Sequence, residues 1–258
     1  MARIHLRDVS KVWETGRGTP VEALSNVTFD VASNEFVCIL GPSGCGKSTL
    51  LQLIGGLESL TGGEILFEDI EAPHHPLSNL VFQEFALFPW KTVVENVGFG
   101  LKMRGVAPRQ RTEAALHYLR LMGLEGFEDR YPHQLSGGMK QRVSIARVLA
   151  NGPEVILMDE PFGSLDAQTR MVLQEELLQL WEAKRKTVCF VTHSIEEAVL
   201  LGDRIVLMSR RPGRVREVVK IDFPRPRTPE IRRRPDFNEL RETLWNSMRE
   251  AAEEAAAE

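Results

Sequence analysis

Glu35-Phe36-Val37-Cys38-Ile39-Leu40-Gly41-Pro42-Ser43-Gly44-Cys45-Gly46-Lys47-Ser48-Thr49 is the stretch on which the fold turns. Glu35 to Leu40 is a compact apolar run that stops at a glycine, the pattern of a strand buried on both faces. Gly41 to Ser48 matches GxxxxGK[ST] at every defined position. Glycines there let successive backbone N–H groups converge on phosphate oxygens without a side chain in the way. The helix beginning near Lys47 points its positive end at the same place. Lys47 is placed to reach β and γ phosphates, and the Ser48 hydroxyl to hold a magnesium ion.

Working outward, strand and helix signals alternate. Short alternating segments, Ala2 to Val9 and Val21 to Val31, flank a Gly/Thr/Pro turn at Thr15 to Pro20 and suggest antiparallel strands. A helix from about Lys47 stops at Gly55-Gly56, and Gly63 to Phe67 reads as another strand. Strand character returns at Val155 to Met158, Thr187 to Thr192 and Arg204 to Met208, with helical stretches at Gln168 to Lys184 and Ser194 to Leu201. Such alternation implies a parallel sheet covered by helices. Between these halves, Val93 to Met103 and a pattern opened by Pro108 and closed by Gly123 form a helical insertion at about residues 87–150.

Val155 to Met158 delivers Asp159 and Glu160 at its end. A parallel strand presents its carboxyl end to the ligand side of such a sheet. Asp159 there would hold magnesium through water, and Glu160 would polarise the attacking water as a general base. ATP and Mg2+ are the cofactors this pair of elements calls for.

Composition bounds the rest. A chain of 258 residues with 43% hydrophobic and 26% charged residues belongs with ordinary globular proteins. The net charge of -4 gives no reason to expect nucleic acid as a partner. Cys38, Cys45 and Cys189 are far apart and form no CxxC pair, so a metal site of that kind is not expected. The N-terminus lacks an apolar signal core, and no stretch approaches the roughly 18–20 apolar residues of a membrane span. His74-His75, in a Pro-flanked loop, reads as an exposed turn rather than a metal pair.

Leu135-Ser136-Gly137-Gly138-Met139, followed by Lys140-Gln141-Arg142, brings the reading to a family. From about Ile4 to Arg210 the sequence resembles the ATP-binding subunit of ABC transporters, with the motifs in the expected order. The resemblance implies a P-loop NTPase α/β fold: a parallel sheet core with an N-terminal antiparallel β subdomain and an inserted α-helical subdomain. The cassette would cover 1–235, and a C-terminal amphipathic helix 236–258. It further implies that Ser136, Gly137 and Gly138 contact the γ-phosphate of ATP bound to a second copy of the chain, that Ser164, Leu165 and Asp166 cross the dimer interface, and that His193 contacts the γ-phosphate. Gln83 resembles the glutamine that touches magnesium and communicates with the membrane partner. Trp13 stands where the family places an aromatic against adenine, with sheet packing as the alternative. Met139 departs from the glutamine usual at that position.

The implied site is therefore Trp13, Gly41, Pro42, Ser43, Gly44, Cys45, Gly46, Lys47, Ser48, Thr49 and Gln83 for ATP; Lys47, Glu160 and His193 for catalysis; and Ser48, Gln83 and Asp159 for the metal. Leu87-Phe88-Pro89-Trp90-Lys91-Thr92-Val93 and Met158 to Asp166 look like the nitrate, sulfonate and taurine import branch. That branch implies transmembrane permease subunits as partners, indirectly a substrate-binding protein, and a peripheral place on the cytoplasmic face of the cell membrane. Phe85, Leu87, Phe88 and Trp90 would meet the permease or form a local core. The alternative is a soluble ABC ATPase of cofactor assembly or another non-transport process. Arg210 to Pro235, rich in Arg and Pro, reads as a loop-dominated, solvated tail, with anionic lipid contact as the other option. Asp236 and Glu239 suggest a capping box for a last helix bearing Phe237, Leu240, Leu244, Trp245 and Met248 on one face.

Overall fold

The computed structural model describes residues 2–14, 18–70 and 76–257, with side chains to residue 250. His74-His75 and Thr15 to Arg17 of the first turn lie outside the described residues. In chain order the elements are β1 (Arg3–Trp13), β2 (Val21–Val31), β3 (Phe36–Leu40), α1 (Lys47–Ile54), β4 (Gly62–Glu68) and β5 (Ser78–Val81). Then come α2 (Val93–Val97), α3 (Phe99–Met103), α4 (Pro108–Leu121), α5 (Gly137–Asn151), β6 (Val155–Asp159), α6 (Ala167–Lys184) and β7 (Thr187–Thr192). The chain ends with α7 (Ile195–Leu201), β8 (Arg204–Met208), β9 (Val215–Lys220) and α8 (Pro235–Ala257). The fold is α/β, and the chain divides into two compact units, residues 1–71 with 178–258, and residues 72–177.

In the first unit, β1 lies between β2 and β4 in an antiparallel sheet. Its residues alternate between buried and exposed, as a sheet with one covered face requires. The second sheet of this unit runs β7-β3-β8-β9. β3 is parallel to both β7 and β8, while β9 returns antiparallel. Every residue of β3 and β7 is buried, which is why both read as unbroken apolar runs rather than alternating ones. Phe36, at the start of β3, packs its ring against Trp181 of α6 and Phe190 of β7.

The second unit pairs β5 and β6 in parallel, from Ser78↔Val155 to Val81↔Met158, and packs α2, α3 and α4 around α5. Ala115, Leu119 and Met122 are the buried edge of the α4 segment, following the 3.6-residue period that the sequence shows. α2 starts with a capping box in which Thr92 and Glu95 satisfy each other's backbone N–H. Gln141 and Ser144, one turn apart on α5, are fully buried with no side-chain hydrogen-bond partner among the described residues.

Three local readings change. Arg210 to Pro235 is not a solvated tail: it contains strand β9, and Arg227 is 5% exposed. The last helix has no Asp236/Glu239 capping box; it begins at Pro235, and the Asp236 carboxylate accepts from Arg234 and from the Phe237 N–H. On α8, Phe237 and Leu244 are buried, while Trp245 is 61% exposed and lies off their face.

Candidate functional site

In the first unit the chemistry gathers at the carboxyl edge of the sheet. Leu40 stands in register with Thr192 on one side and Leu207 on the other. Gly41 to Thr49, His193 and the turn after β8 therefore leave the sheet at neighbouring points. The phosphate loop is braced from two directions. A Cβ on Gly46 (φ 100°) would lie 2.8 Å from the Ala23 carbonyl and 2.8 Å from Leu24 Cδ2. Only glycine tolerates both that dihedral and that approach. From the other side comes Gly213, whose N–H donates to Ala23 O at 2.9 Å and whose carbonyl accepts from Ser25 N–H at 3.1 Å. A Cβ there would stand 2.1 Å from the Cys45 carbonyl.

Lys47 is buried, and its ammonium donates to the carbonyls of Gly41 at 2.8 Å and Pro42 at 2.9 Å. Its Nζ lies 4.0 Å from Cys45 Sγ. Ser43, Gly44 and Ser48 are exposed, with Pro42, Gly46 and Thr49 half-buried. His193 is exposed at the joint between β7 and α7. Next to it, Thr192 Oγ1 donates to the Glu197 carboxylate at 2.5 Å, and Ser194 caps α7 by accepting from Glu197 N–H. Trp13 is half-buried at the end of β1, with the Lys11 ammonium 4.2 Å from its ring centroid. That cation–π contact occupies one face of the indole. Lys11 is itself buried and tied to Glu58 and the Ser59 carbonyl.

In the second unit, β6 is wholly buried and ends at Asp159, which is 8% exposed. Glu160 follows with φ of 41°, a left-handed conformation that costs a non-glycine residue about 1–3 kcal/mol and is typical of functional turns. A tight turn returns from Gly163 N–H to the Glu160 carbonyl at 3.0 Å. A Cβ on Gly163 would lie 3.8 Å from Glu160 Oε2 and 3.9 Å from Gln83 Nε2. The glutamine after β5 and the carboxylate after β6 thus approach one point.

The glycine pair Gly137-Gly138 opens α5, with Ser136 Oγ accepting from Met139 N–H at 3.3 Å. A Cβ on Gly137 would be 3.6 Å from Leu165, and one on Gly138 only 2.5 Å from Thr169 Cγ2. Ser136 to Gly138 and Ser164 to Asp166 are thereby packed together. The Thr169 backbone N–H, 3.0 Å from Asp166 Oδ1, holds that carboxyl below the usual carboxylate range.

Asn96, which the sequence reading passes over, and Arg147, which the sequence offers only as a helix-packing residue, set the surface beside Gln83. Asn96 is fully buried; its amide donates to the carbonyls of Phe88, Lys91 and Thr92, and its oxygen accepts from Phe88 N–H at 2.8 Å. Arg147 donates to the carbonyls of Ala86 at 2.6 Å and Phe85 at 3.2 Å. Together they fix the backbone that holds Trp90 71% exposed. Phe85, Leu87 and Phe88 are half-buried there. Gly213 was also missed, although its Pro-Gly dipeptide between two apolar runs is a turn signal.

The chain resembles known proteins over nearly its whole length. Residues 24–163 match the family model described as ABC transporter. A taurine import ATP-binding protein of Rhizobium johnstonii is 48% identical, across 88% of this chain and 89% of its own length. A nitrate import ATP-binding protein of Synechocystis sp. is 41% identical, across 95% of each. An aliphatic sulfonates import ATP-binding protein of Bacillus cereus is 43% identical, across 93% of this chain and 94% of its own. A solved dimeric ATP-binding cassette, in a post-hydrolysis state with ADP and Pi, superimposes with TM-score 0.75 at 36% identity, covering 85% of this chain and 99% of that one. With a glycine-rich phosphate loop at a parallel sheet edge, a strand ending in Asp159-Glu160, and that extent of likeness, the chain belongs to the ABC transporter family of ATP-binding proteins and is an ATPase.

Proposed function

We propose that the protein is the ATP-hydrolysing subunit of an importer for a small nutrient of the nitrate, sulfonate or taurine kind. Two copies pair head to tail, and each ATP lies between the phosphate loop of one and Ser136 to Gly138 of the other. The observation that carries the reading is the phosphate loop itself. Its buried Lys47 holds loop carbonyls that a γ-phosphate would replace as the ammonium's partners, and the exposed His193 leaves the neighbouring strand beside it. The branch rests on relatives named for taurine, nitrate and aliphatic sulfonate import.

Among the described residues no three His, Cys, Asp or Glu side chains gather as an all-protein metal cage. A hydroxyl, a carboxylate and an amide suit Mg2+, which takes few protein oxygens and completes its shell with phosphate and water. Ser48, Asp159 and Gln83 would hold it, and it would supply charge neutralisation on the phosphates. Trp13 offers adenine the ring face opposite Lys11. Glu160 orients water and accepts its proton.

No helix among the described residues is long and apolar enough to cross a membrane. In the proposed importer the chain meets permease subunits at the cytoplasmic face through the Gln83 to Trp90 surface, with a substrate-binding protein acting through them; the import names of its relatives support that reading. Glu160→Gln tests the chemistry: it should keep ATP binding and accumulate an ATP-bound dimer while turnover falls on the order of a hundredfold or more. Turnover like the wild type would remove Glu160 as the base. Capture of the tagged chain from detergent-solubilised membranes tests the importer: a polytopic permease supports it, and soluble partners alone would refute it.

A further inference from the structure

The segment after β9 inserts two guanidinium groups into the end of α7, the helix that follows His193. The last carbonyls of any helix lack intrahelical partners. Here Arg227 Nη1 donates to the carbonyls of Val199 at 3.2 Å, Leu200 at 3.2 Å and Gly202 at 2.6 Å. Arg225 Nη2 takes the remaining one, Leu201, at 2.7 Å. The other donors of Arg227 reach the Ile221 and Phe223 carbonyls. Its side chain is 1% exposed. Arg225 lies 4.2 Å above the Trp181 ring and pairs with Asp203 at 2.8 Å.

This arrangement is costly to build and specific. Burial, with Arg225 beside it, pulls the Arg227 guanidinium down to about 10, so it enters the interior still charged at neutral pH. The negative end of α7 and Asp203 compensate that charge. At the opposite end of α7, Arg232 pairs with Glu196 at 2.6 Å. A helix of seven residues does not hold its place by its own hydrogen bonds. α7 is therefore positioned from outside, at both ends, by one stretch of the C-terminal segment.

His193 is the only residue between Thr192, the last of β7, and Ser194, the cap of α7. A shift of α7 along or about its axis must pass through that joint. We propose that Arg225 and Arg227 are positioning residues for His193, making the C-terminal segment a working part of the ATPase site. This rests on the reading of His193 as a γ-phosphate contact.

The test uses the full chain, assayed at concentrations where turnover per subunit no longer rises. Arg227→Lys keeps a cation but cannot serve five carbonyls. It should lower kcat on the order of tenfold or more, the scale expected when a reacting group is misplaced by a fraction of an ångström. KM and nucleotide affinity should stay within about twofold, as for a contact made only in the transition state. In a His193→Ala background the same substitution should cost nothing further. If Arg227→Lys does not fold, Arg232→Gln, which loosens the other end of α7, should show the same pattern with a smaller loss. Wild-type kcat in the variant that folds, or an equal loss with and without His193, overturns the proposal. Wild-type turnover by His193→Ala alone would instead overturn the reading of His193 itself.

Discussion

Gly138→Ala offers a quantitative check on how Ser136 to Gly138 is seated. Placed on the helix, the new methyl would sit 2.5 Å from Thr169 Cγ2, about 0.9 Å inside the 3.4 Å at which ordinary contact begins. Two effects then oppose. Alanine in place of a helical glycine stabilises by about 1 kcal/mol. Forcing a methyl into a filled space costs about 1–3 kcal/mol. The clash wins, because Thr169 is tied through its backbone N–H to Asp166 and sits in the first turn of α6. The variant should lose up to roughly 2 kcal/mol net, a fall of about 2–4 °C per kcal/mol in the midpoint for a chain of this size. Thr169→Ser removes the obstructing Cγ2 and keeps the hydroxyl. The double variant should recover the loss, giving a favourable coupling of about 1–3 kcal/mol in a double-mutant cycle read by thermal or urea unfolding. If Gly138→Ala raises the midpoint and Thr169→Ser changes nothing, the close packing of Ser136 to Gly138 on the Ser164 to Asp166 loop is wrong.

Three further outcomes are expected. Thr92→Ala removes half of the capping box of α2 and should cost about 1 kcal/mol by urea unfolding; an unchanged midpoint would count against the cap. The Thr92 backbone N–H holds the Glu95 carboxyl below the 4.5 of an ordinary glutamate, so its stabilisation is whole above that pH and fades as the pH falls through the lowered value. The advantage of wild type over Glu95→Gln should shrink accordingly in acid, and an advantage that grows in acid would reverse the assignment. Burial pushes the Cys189 thiol up to about 12 and Cys38 well above its ordinary value. Neither should react with a thiol reagent at neutral pH until the protein unfolds, and fast native labelling of either would contradict their burial.

What the sequence shows of this molecule follows the range of the interactions involved. The loop at Gly41 to Thr49 is legible because its requirements are local: glycines where backbone must approach closely, a lysine at the helix start. β3, β6 and β7 are legible because double burial removes polar residues from consecutive positions. The Arg/Pro segment misleads for the opposite reason. Composition alone says solvated, yet the orphan carbonyls that draw Arg225 and Arg227 inward lie more than twenty residues upstream. Likewise nothing near Gly138 in the chain announces Thr169, and nothing near Gly163 announces that the Gln83 and Glu160 side chains both come close to it. The residue types of the candidate site could be read from the chain, whereas the contacts that seat them could not.

The bracing of the phosphate loop between the Ala23-Leu24 backbone and Gly213 has a thermodynamic consequence. A loop already held in shape gives up little conformational freedom when a ligand arrives. Each residue that must be frozen on binding costs about 1–2 kcal/mol, and this loop has spent that entropy during folding. Nucleotide association should therefore show the enthalpy-led signature of a preorganised polar cradle, with a small heat-capacity change in the isolated chain. In the proposed head-to-tail pairing, any larger, temperature-curved heat would belong to the later step in which two copies bury surface against each other.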